Sequence, residues 1–287
     1  MSDQSPSRRR TASHPDRASI PNALSDGPPL PRHRYAIARA DLQHFPVGSI
    51  EHHPTRWHFP DYLDNPRVPW LGTLKGIYDT PISFPASLSP EAGLLLHALV
   101  RNLRPRVALE IGTFMGVSTI WIASALIENR SSGPGTLAGV LHSFDDFGPI
   151  QKGPWRDQEL TENRLDLVRR RLTEAGVAEV VTLHKGDSST GVARTRERLM
   201  DLGGVQLAFI DGDHSFQGVC KDLWAVEPVL STGGHVILHD TFPEQCACDG
   251  PRQLIDRIQS VATGLYEVCE LYLGGWNYGM AVLRRIG

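Results

Sequence analysis

The residues best suited to chemistry lie in short segments, each pairing an acid with glycines or histidines. Asp211-Gly212-Asp213-His214 and His239-Asp240-Thr241 carry the densest set. If the strands that end at them are neighbours, about 4.8 Å apart, Asp211 and Asp240 can share one hard cation such as magnesium. His214, three residues past Asp211, can take a proton from a hydroxyl near pH 7 as a neutral imidazole. A third segment runs Glu110-Ile111-Gly112-Thr113-Phe114-Met115-Gly116-Val117-Ser118. Its glycines allow a tight turn and close approach to a ligand. Its carboxylate repels a pyrophosphate and attracts an ammonium group. Ser143-Phe144-Asp145-Asp146 offers an acid for ribose hydroxyls, with Asp145 the favoured one. Lys185-Gly186-Asp187-Ser188 offers a short acid that can accept from an adenine amino group, although Gly-Asp-Ser is also ordinary turn chemistry.

These segments follow apolar runs that read as strands. The expected strands are Val107–Ile111, Leu137–Phe144, Val180–His184, Val205–Ile210 and His235–Leu238. Helical stretches separate them, at about Gly116–Ile127, Gln158–Ala175, Gly191–Leu202, Phe216–Leu230 and Arg252–Ala262. A further helix, opened by Ser89-Pro90-Glu91, precedes the first strand: a capping hydroxyl, proline at the first helical position, acid in the first turn. Such alternation predicts right-handed parallel βαβ units, with ligands at the carboxyl ends of the strands. Tyr266–Leu273 and Met280–Arg285 are separated by only Gly274–Gly279, too short for a crossover helix, so they predict an antiparallel hairpin. If the first of these strands runs with its predecessors, Trp276 and Tyr278 lie at the ligand end and can wall a pocket.

Ahead of this α/β region, residues 1–30 are polar and Pro-rich and read as a disordered tail. Residues 31–88 interleave prolines with Tyr35, Trp57, Phe59, Tyr62, Trp70, Tyr78 and Phe84, and read as an irregular ordered arm packed on the main domain of residues 89–287. His44, His52, His53 and His58 lie there too and read as polar surface.

The chain has 287 residues and a formal net charge of -3, which gives no support to a nucleic-acid partner. No apolar run approaches the ~18 residues that span a membrane, and no apolar stretch follows the basic N-terminal residues, so neither a membrane partner nor a secretory signal is expected. Cys220, Cys246, Cys248 and Cys269 form no disulfide framework and read as reduced thiols of a cytoplasmic protein, although Cys246-x-Cys248 is able to bind a metal or oxidise.

Taken together, Glu110–Gly116, Asp145, Gly186-Asp187, Asp211-Gly212-Asp213-His214 and the closing hairpin resemble the class I S-adenosylmethionine (SAM)-dependent methyltransferases, over roughly residues 86–287. Ser89-Pro90-Glu91 with Leu109–Thr113 is similar to the catechol and caffeoyl-CoA O-methyltransferase group. The Asp211–Phe216 run with His239-Asp240-Thr241 looks closer to bacterial natural-product O-methyltransferases. The resemblance implies a Rossmann-like seven-stranded sheet in the order 3-2-1-4-5-7-6, with helices on both faces. It implies a cofactor, SAM, bound by Glu110, Gly112, Thr113, Gly116, Ser118, Asp145, Gly186, Asp187, Ser188 and Asp211. It implies divalent-cation ligands Asp211 and Asp240, with His239 adjoining, and His214 standing where the catechol-type enzymes carry a lysine base. Thr241 replaces their asparagine ligand. The implied reaction is methyl transfer to a hydroxyl of a small molecule, by a cytoplasmic homo-oligomer such as a dimer. A metal-independent N- or O-methyltransferase is the alternative. A nicotinamide-dependent oxidoreductase is disfavoured by the absence of GxGxxG and by the hairpin.

Overall fold

The computed structural model describes residues 56–130, 139–150, 160, 162–246, 248–262, 264–271 and 278–287. Helices α1 (Pro69–Tyr78) and α2 (Pro90–Leu103) precede β1 (Val107–Ile111) and α3 (Val117–Arg130). There follow β2 (Val140–Asp145), α4 (Arg164–Glu174), β3 (Val181–Lys185), α5 (Ser188–Asp201), β4 (Val205–Ile210), α6 (Phe216–Val226) and β5 (Leu230–His239). The short α7 (Pro243–Cys246), α8 (Gly250–Val261), β6 (Tyr266–Leu271) and β7 (Met280–Arg285) close the described chain. The strands form one seven-stranded sheet in the order β3-β2-β1-β4-β5-β7-β6. β1 to β5 pair in parallel, whereas β7 runs antiparallel to both β5 and β6. β6 therefore runs with β5, so its carboxyl end lies on the same edge as those of β1 to β5.

Helices cover both faces. Two large apolar clusters divide them, one built with α2 and α3, the other with α6 and α8. β1 is buried at every position, as a central strand covered on both faces must be. Gly93 of α2 is needed for this packing: a Cβ there would lie 2.0 Å from Nε1 of Trp121 on α3.

The region before α2 is more regular than its prolines suggest. Pro69 opens α1 as its first helical residue, where a missing N–H costs nothing. Leu71, Leu74, Ile77 and Tyr78 of that helix, with Trp57 and Phe59, are buried in the same cluster as α2 and α3. Tyr78 donates to the Leu88 carbonyl at 2.8 Å and accepts from Trp121 Nε1 at 3.0 Å. The expectation of a wholly irregular arm is corrected on this point. Tyr62, by contrast, is exposed.

Other element limits differ for local reasons. α4 starts at Arg164 because the Asn163 side chain caps it by accepting from Asp166 N–H. α5 starts three residues earlier than expected because Asp187 caps it. α6 stops at Val226, just before a 3-10 turn containing Pro228. β5 begins at Leu230, since Gly233 takes φ +77° and carries the strand through a register shift opposite Val205. Residues 1–55, Leu137, Gln158, and the turn residues Gly274, Gly275, Trp276 and Asn277 lie outside the described residues. Among the described residues, no helix is long and apolar enough to cross a membrane.

Candidate active site

A cavity of about 930 Å³ opens at the carboxyl ends of β1 to β4. The register explains why the expected residues gather there. Ile111 pairs with both Phe144 and Ile210, Asp145 pairs with Lys185, and Ile210 pairs with Leu238. The residue after each strand therefore emerges on the same edge. Gly112, Thr113, Ser118, Asp145, Gly186, Asp187, Ser188, Asp211 and His214 line the cavity.

Glu110 and Gly116 are not on the wall. Glu110 is fully buried, and its Oε2 accepts from Thr119 Oγ1 at 2.7 Å and Ser143 Oγ at 2.5 Å. Burial pushes its carboxyl up to about 7, with hydroxyls of Ser118, Ser143 and Thr119 pulling the other way. Its carboxylate thus ties β1 to β2 and α3 behind the turn. Gly112 has φ +95°, and a Cβ there would lie 2.1 Å from the Asp211 carbonyl oxygen. The close approach that Gly112 permits is between the β1 and β4 loops.

Asp145 sits at the head of the cavity, bound on both oxygens. Phe114 N–H donates to Oδ2 at 2.8 Å and Phe147 N–H to Oδ1 at 2.6 Å. The Arg164 guanidinium adds 3.0 Å and 2.7 Å contacts to the same two oxygens, and also reaches Asp146 at 2.7 Å. A ribose here must share Asp145 with Arg164, whereas Asp146 is largely exposed, at 76% of its side chain. Asp187 is occupied as well: its Oδ1 accepts from Thr190 N–H at 3.0 Å and Ser189 Oγ at 2.6 Å, and Oδ2 pairs with Lys221.

At the other end of the cavity, β4 and β5 are hydrogen-bonded neighbours, so Asp211 and Asp240 come together. His214 Nε2 lies 3.2 Å from Asp211 Oδ1 and 3.2 Å from Asp240 Oδ2. His239 Nδ1 lies 3.2 Å from Asp211 Oδ1 and 3.1 Å from Asp240 Oδ1. Asp240 holds its place in the left-handed region, at φ +57°, unusual for a non-glycine residue. Burial opposes charge in this cluster, but the mutual attraction prevails. The His239 charge and the two histidine hydrogen bonds hold Asp211 below the ordinary carboxylate range. Against burial, the hydrogen bond to Asp211 and the charges of Asp240 and Asp211 raise His214 to about 9. Against burial, the same two carboxylates raise His239 well above its ordinary value. These attractions favour protonated imidazoles beside ionised carboxylates. The two carboxylates beside His214 were not part of the expectation of a neutral imidazole there. Asp211, His239 and Asp240 each place one ligating atom within 4.8 Å of the other two, so two carboxylates and one imidazole fit a divalent cation. Thr241, by contrast, buries its hydroxyl with no hydrogen-bond partner among the described residues. The Tyr278 ring stands edge-on to His239, centroids 6.3 Å apart.

Residue-type reasoning missed the lining groups Arg164 and Asp222, and named Cys248 only with Cys246, as a pair able to bind a metal or oxidise. Asp222 had a legible signal. It occupies the buried Val219, Leu223, Val226 stripe of α6, where an acid needs a reason. Burial pushes its carboxyl up, and Ser188 Oγ donates to it at 2.7 Å. Arg164 and Cys248 carried no such periodic signal.

Residues 109–241 match a methyltransferase-domain family. The resemblance read from the strand-end motifs thus falls on the segment that carries the cavity. A curated protein of Mycobacterium sp. (strain JLS), named "Putative O-methyltransferase", is 29% identical over 155 residues, covering 53% of this chain and 56% of that protein. The chain therefore spans about half the length of the curated relatives it matches. Among solved structures, an O-methyltransferase from Streptomyces achromogenes involved in tomaymycin synthesis, in complex with SAM, is similar with TM-score 0.52 and 19% identity. It covers 90% of this chain and 100% of that one. An O-methyltransferase from Bacillus cereus in complex with SAH has TM-score 0.52 and 18% identity, covering 75% and 90%. At such identities these likenesses speak for the methyltransferase fold, which the strand order already describes.

Proposed function

We propose that the protein transfers a methyl group from SAM to a hydroxyl of a small molecule, with a divalent cation at Asp211, His239 and Asp240. The observation that carries this reading is the continuity of the cavity, from the Gly112–Ser118 turn and Asp145 at one end to His214 and Asp211 at the other. Its volume of about 930 Å³ suits a cofactor and an acceptor side by side.

The acceptor oxygen gives its electron pair to the methyl carbon as the carbon–sulfonium bond breaks. The sulfonium becomes a neutral thioether, and the hydroxyl proton goes to His214. Holding the two reactants in line supplies most of the acceleration. The turn Gly112–Ser118 positions the methionine end, Asp145 the ribose, and the Gly186–Ser188 segment the adenine. A cation, when bound, lowers the hydroxyl's pKa. His214 Nε2, 3.2 Å from both Asp211 and Asp240, is the group placed to accept that proton. Asp211 and Asp240 hold that imidazole from two sides.

Calorimetric titration with SAM and with its demethylated product, with and without a chelator, tests cofactor and cation separately. Binding of both compounds is expected with and without the chelator, and titration of the stripped chain with magnesium is expected to show a cation bound at Asp211, His239 and Asp240. Failure of either compound to bind sinks the methyl-transfer reading. Full methyl transfer after exhaustive chelation sinks the cation and leaves a metal-free methyltransferase.

A further inference from the structure

The Asp211–His239–Asp240 cluster has a second set of ligating atoms on its cavity side. His214, Asp240 and Cys248 each place one such atom within 4.8 Å of the other two. His214 and Cys248 line the cavity, so an ion has a path in from solvent. Asp240 is shared: its Oδ1 faces His239 at 3.1 Å and its Oδ2 faces His214 at 3.2 Å. Asp240 is 7% exposed, and among the described residues its Oδ1 accepts no hydrogen bond. Cys248 is a free thiol, set by a contact from its Sγ to that of Cys246 at 3.2 Å.

The chemistry of this second triad differs from that of the first. A carboxylate, an imidazole nitrogen and a thiol sulfur suit zinc-class dications. Magnesium prefers oxygen ligands and gives up its waters reluctantly. We propose that His214, Asp240 and Cys248 form a cation site of their own, selective for thiophilic divalent metals such as zinc and cobalt(II). Binding releases the thiol proton and the proton on His214 Nε2 to solvent, and forms a metal–sulfur bond beside metal–nitrogen and metal–oxygen bonds. The site claim stands on geometry. Its consequence rests on the proposed role of His214, because an imidazole nitrogen bound to metal cannot take a proton. A thiophilic metal here and proton acceptance by His214 exclude one another.

The test uses the full chain, stripped with chelator and kept reduced by a non-thiol reductant. Cobalt(II) is expected to produce a near-ultraviolet thiolate-to-cobalt charge-transfer band, which zinc displaces and a large excess of magnesium does not. Cys248→Ser is expected to abolish the band and weaken zinc binding by about tenfold or more, since even outer-sphere partners are worth that much. His214→Gln weakens zinc binding likewise, while Cys269→Ser, at an exposed thiol, retains the band. Absence of a thiolate band in the wild-type chain overturns the proposal, whether or not Cys248→Ser folds. So does zinc binding that survives both Cys248→Ser and His214→Gln. If that binding is lost in Asp211→Asn and His239→Gln, the ion sits in the first triad, and the cation of the proposed function stands without this second site. If the thiolate band is present but SAM does not bind, the site stands and the methyl-transfer reading falls.

Discussion

At the scale of single residues, His214 and Glu110 make opposite demands. His214 stands 3.2 Å from two carboxylates, so its removal costs both a proton acceptor and the charge balance of the cluster. His214→Asn is expected to lower methyl transfer by about 10²- to 10⁴-fold, the usual worth of a positioned acid–base group. Asp240→Asn is expected to act in the same direction. Turnover unchanged in both variants, measured with an acceptor that the wild type methylates, would refute their roles. Glu110 is a matter of stability. Its carboxyl is raised from an ordinary 4.5 to about 7, so the folded chain keeps a proton that the unfolded chain loses over that range. Stability is therefore greatest below about pH 4.5 for this group and falls as pH rises to 7. At about 1.4 kcal/mol per pH unit, the loss is about 3 kcal/mol. Urea unfolding between pH 5 and 8 should show this decline, and Glu110→Gln should flatten it. An equal slope in both proteins would show that another group is responsible.

At the scale of elements, the loops after the strands are helix starts as much as ligand contacts. Asp187 is the N-cap of α5 and also lies on the cavity. Asp187→Ala is expected to cost about 1 kcal/mol of stability, as cap removals do, read as a shift of the urea midpoint with unchanged m-value. SAM affinity separates the two uses of this residue. Loss of affinity without loss of stability would make Asp187 a ligand contact rather than a cap. The alternation of strands and helices and the hairpin were legible in the sequence, because side-chain periodicity and the six-residue Gly274–Gly279 spacer constrain them locally. The ends of α4 and α5 were less so, since Asn163 and Asp187 act through single hydrogen bonds that composition does not reveal.

At the scale of the whole molecule, residues 56–88 belong to the same apolar cluster as α2 and α3. Leu74 is fully buried there. Leu74→Ala is expected to destabilise the entire fold by about 2–5 kcal/mol, in a single cooperative transition by circular dichroism and tryptophan fluorescence alike. Two transitions would mean that this region unfolds by itself. Ligand linkage operates at the same scale. SAM at a hundred times its Kd should stabilise the chain by about 2.7 kcal/mol, seen as a rise in Tm. No rise would deny the cavity that cofactor.

What the sequence determined by itself was the order of elements and the acids that close each strand. Those follow from local periodicity and from the rule that parallel strands deliver their carboxyl ends to one edge. Only tertiary structure decided the charge of the site. Asp211 and Asp240 are 29 residues apart, yet each lies within 3.2 Å of both His214 and His239. Between two carboxylates a histidine's proton is favoured over its value in isolation, because attraction at such distances, away from water, opposes the cost of burial. The approach of Cys248 to His214 and Asp240 was likewise invisible along the chain, since it depends on the path taken after β5 and not on any repeat or spacing.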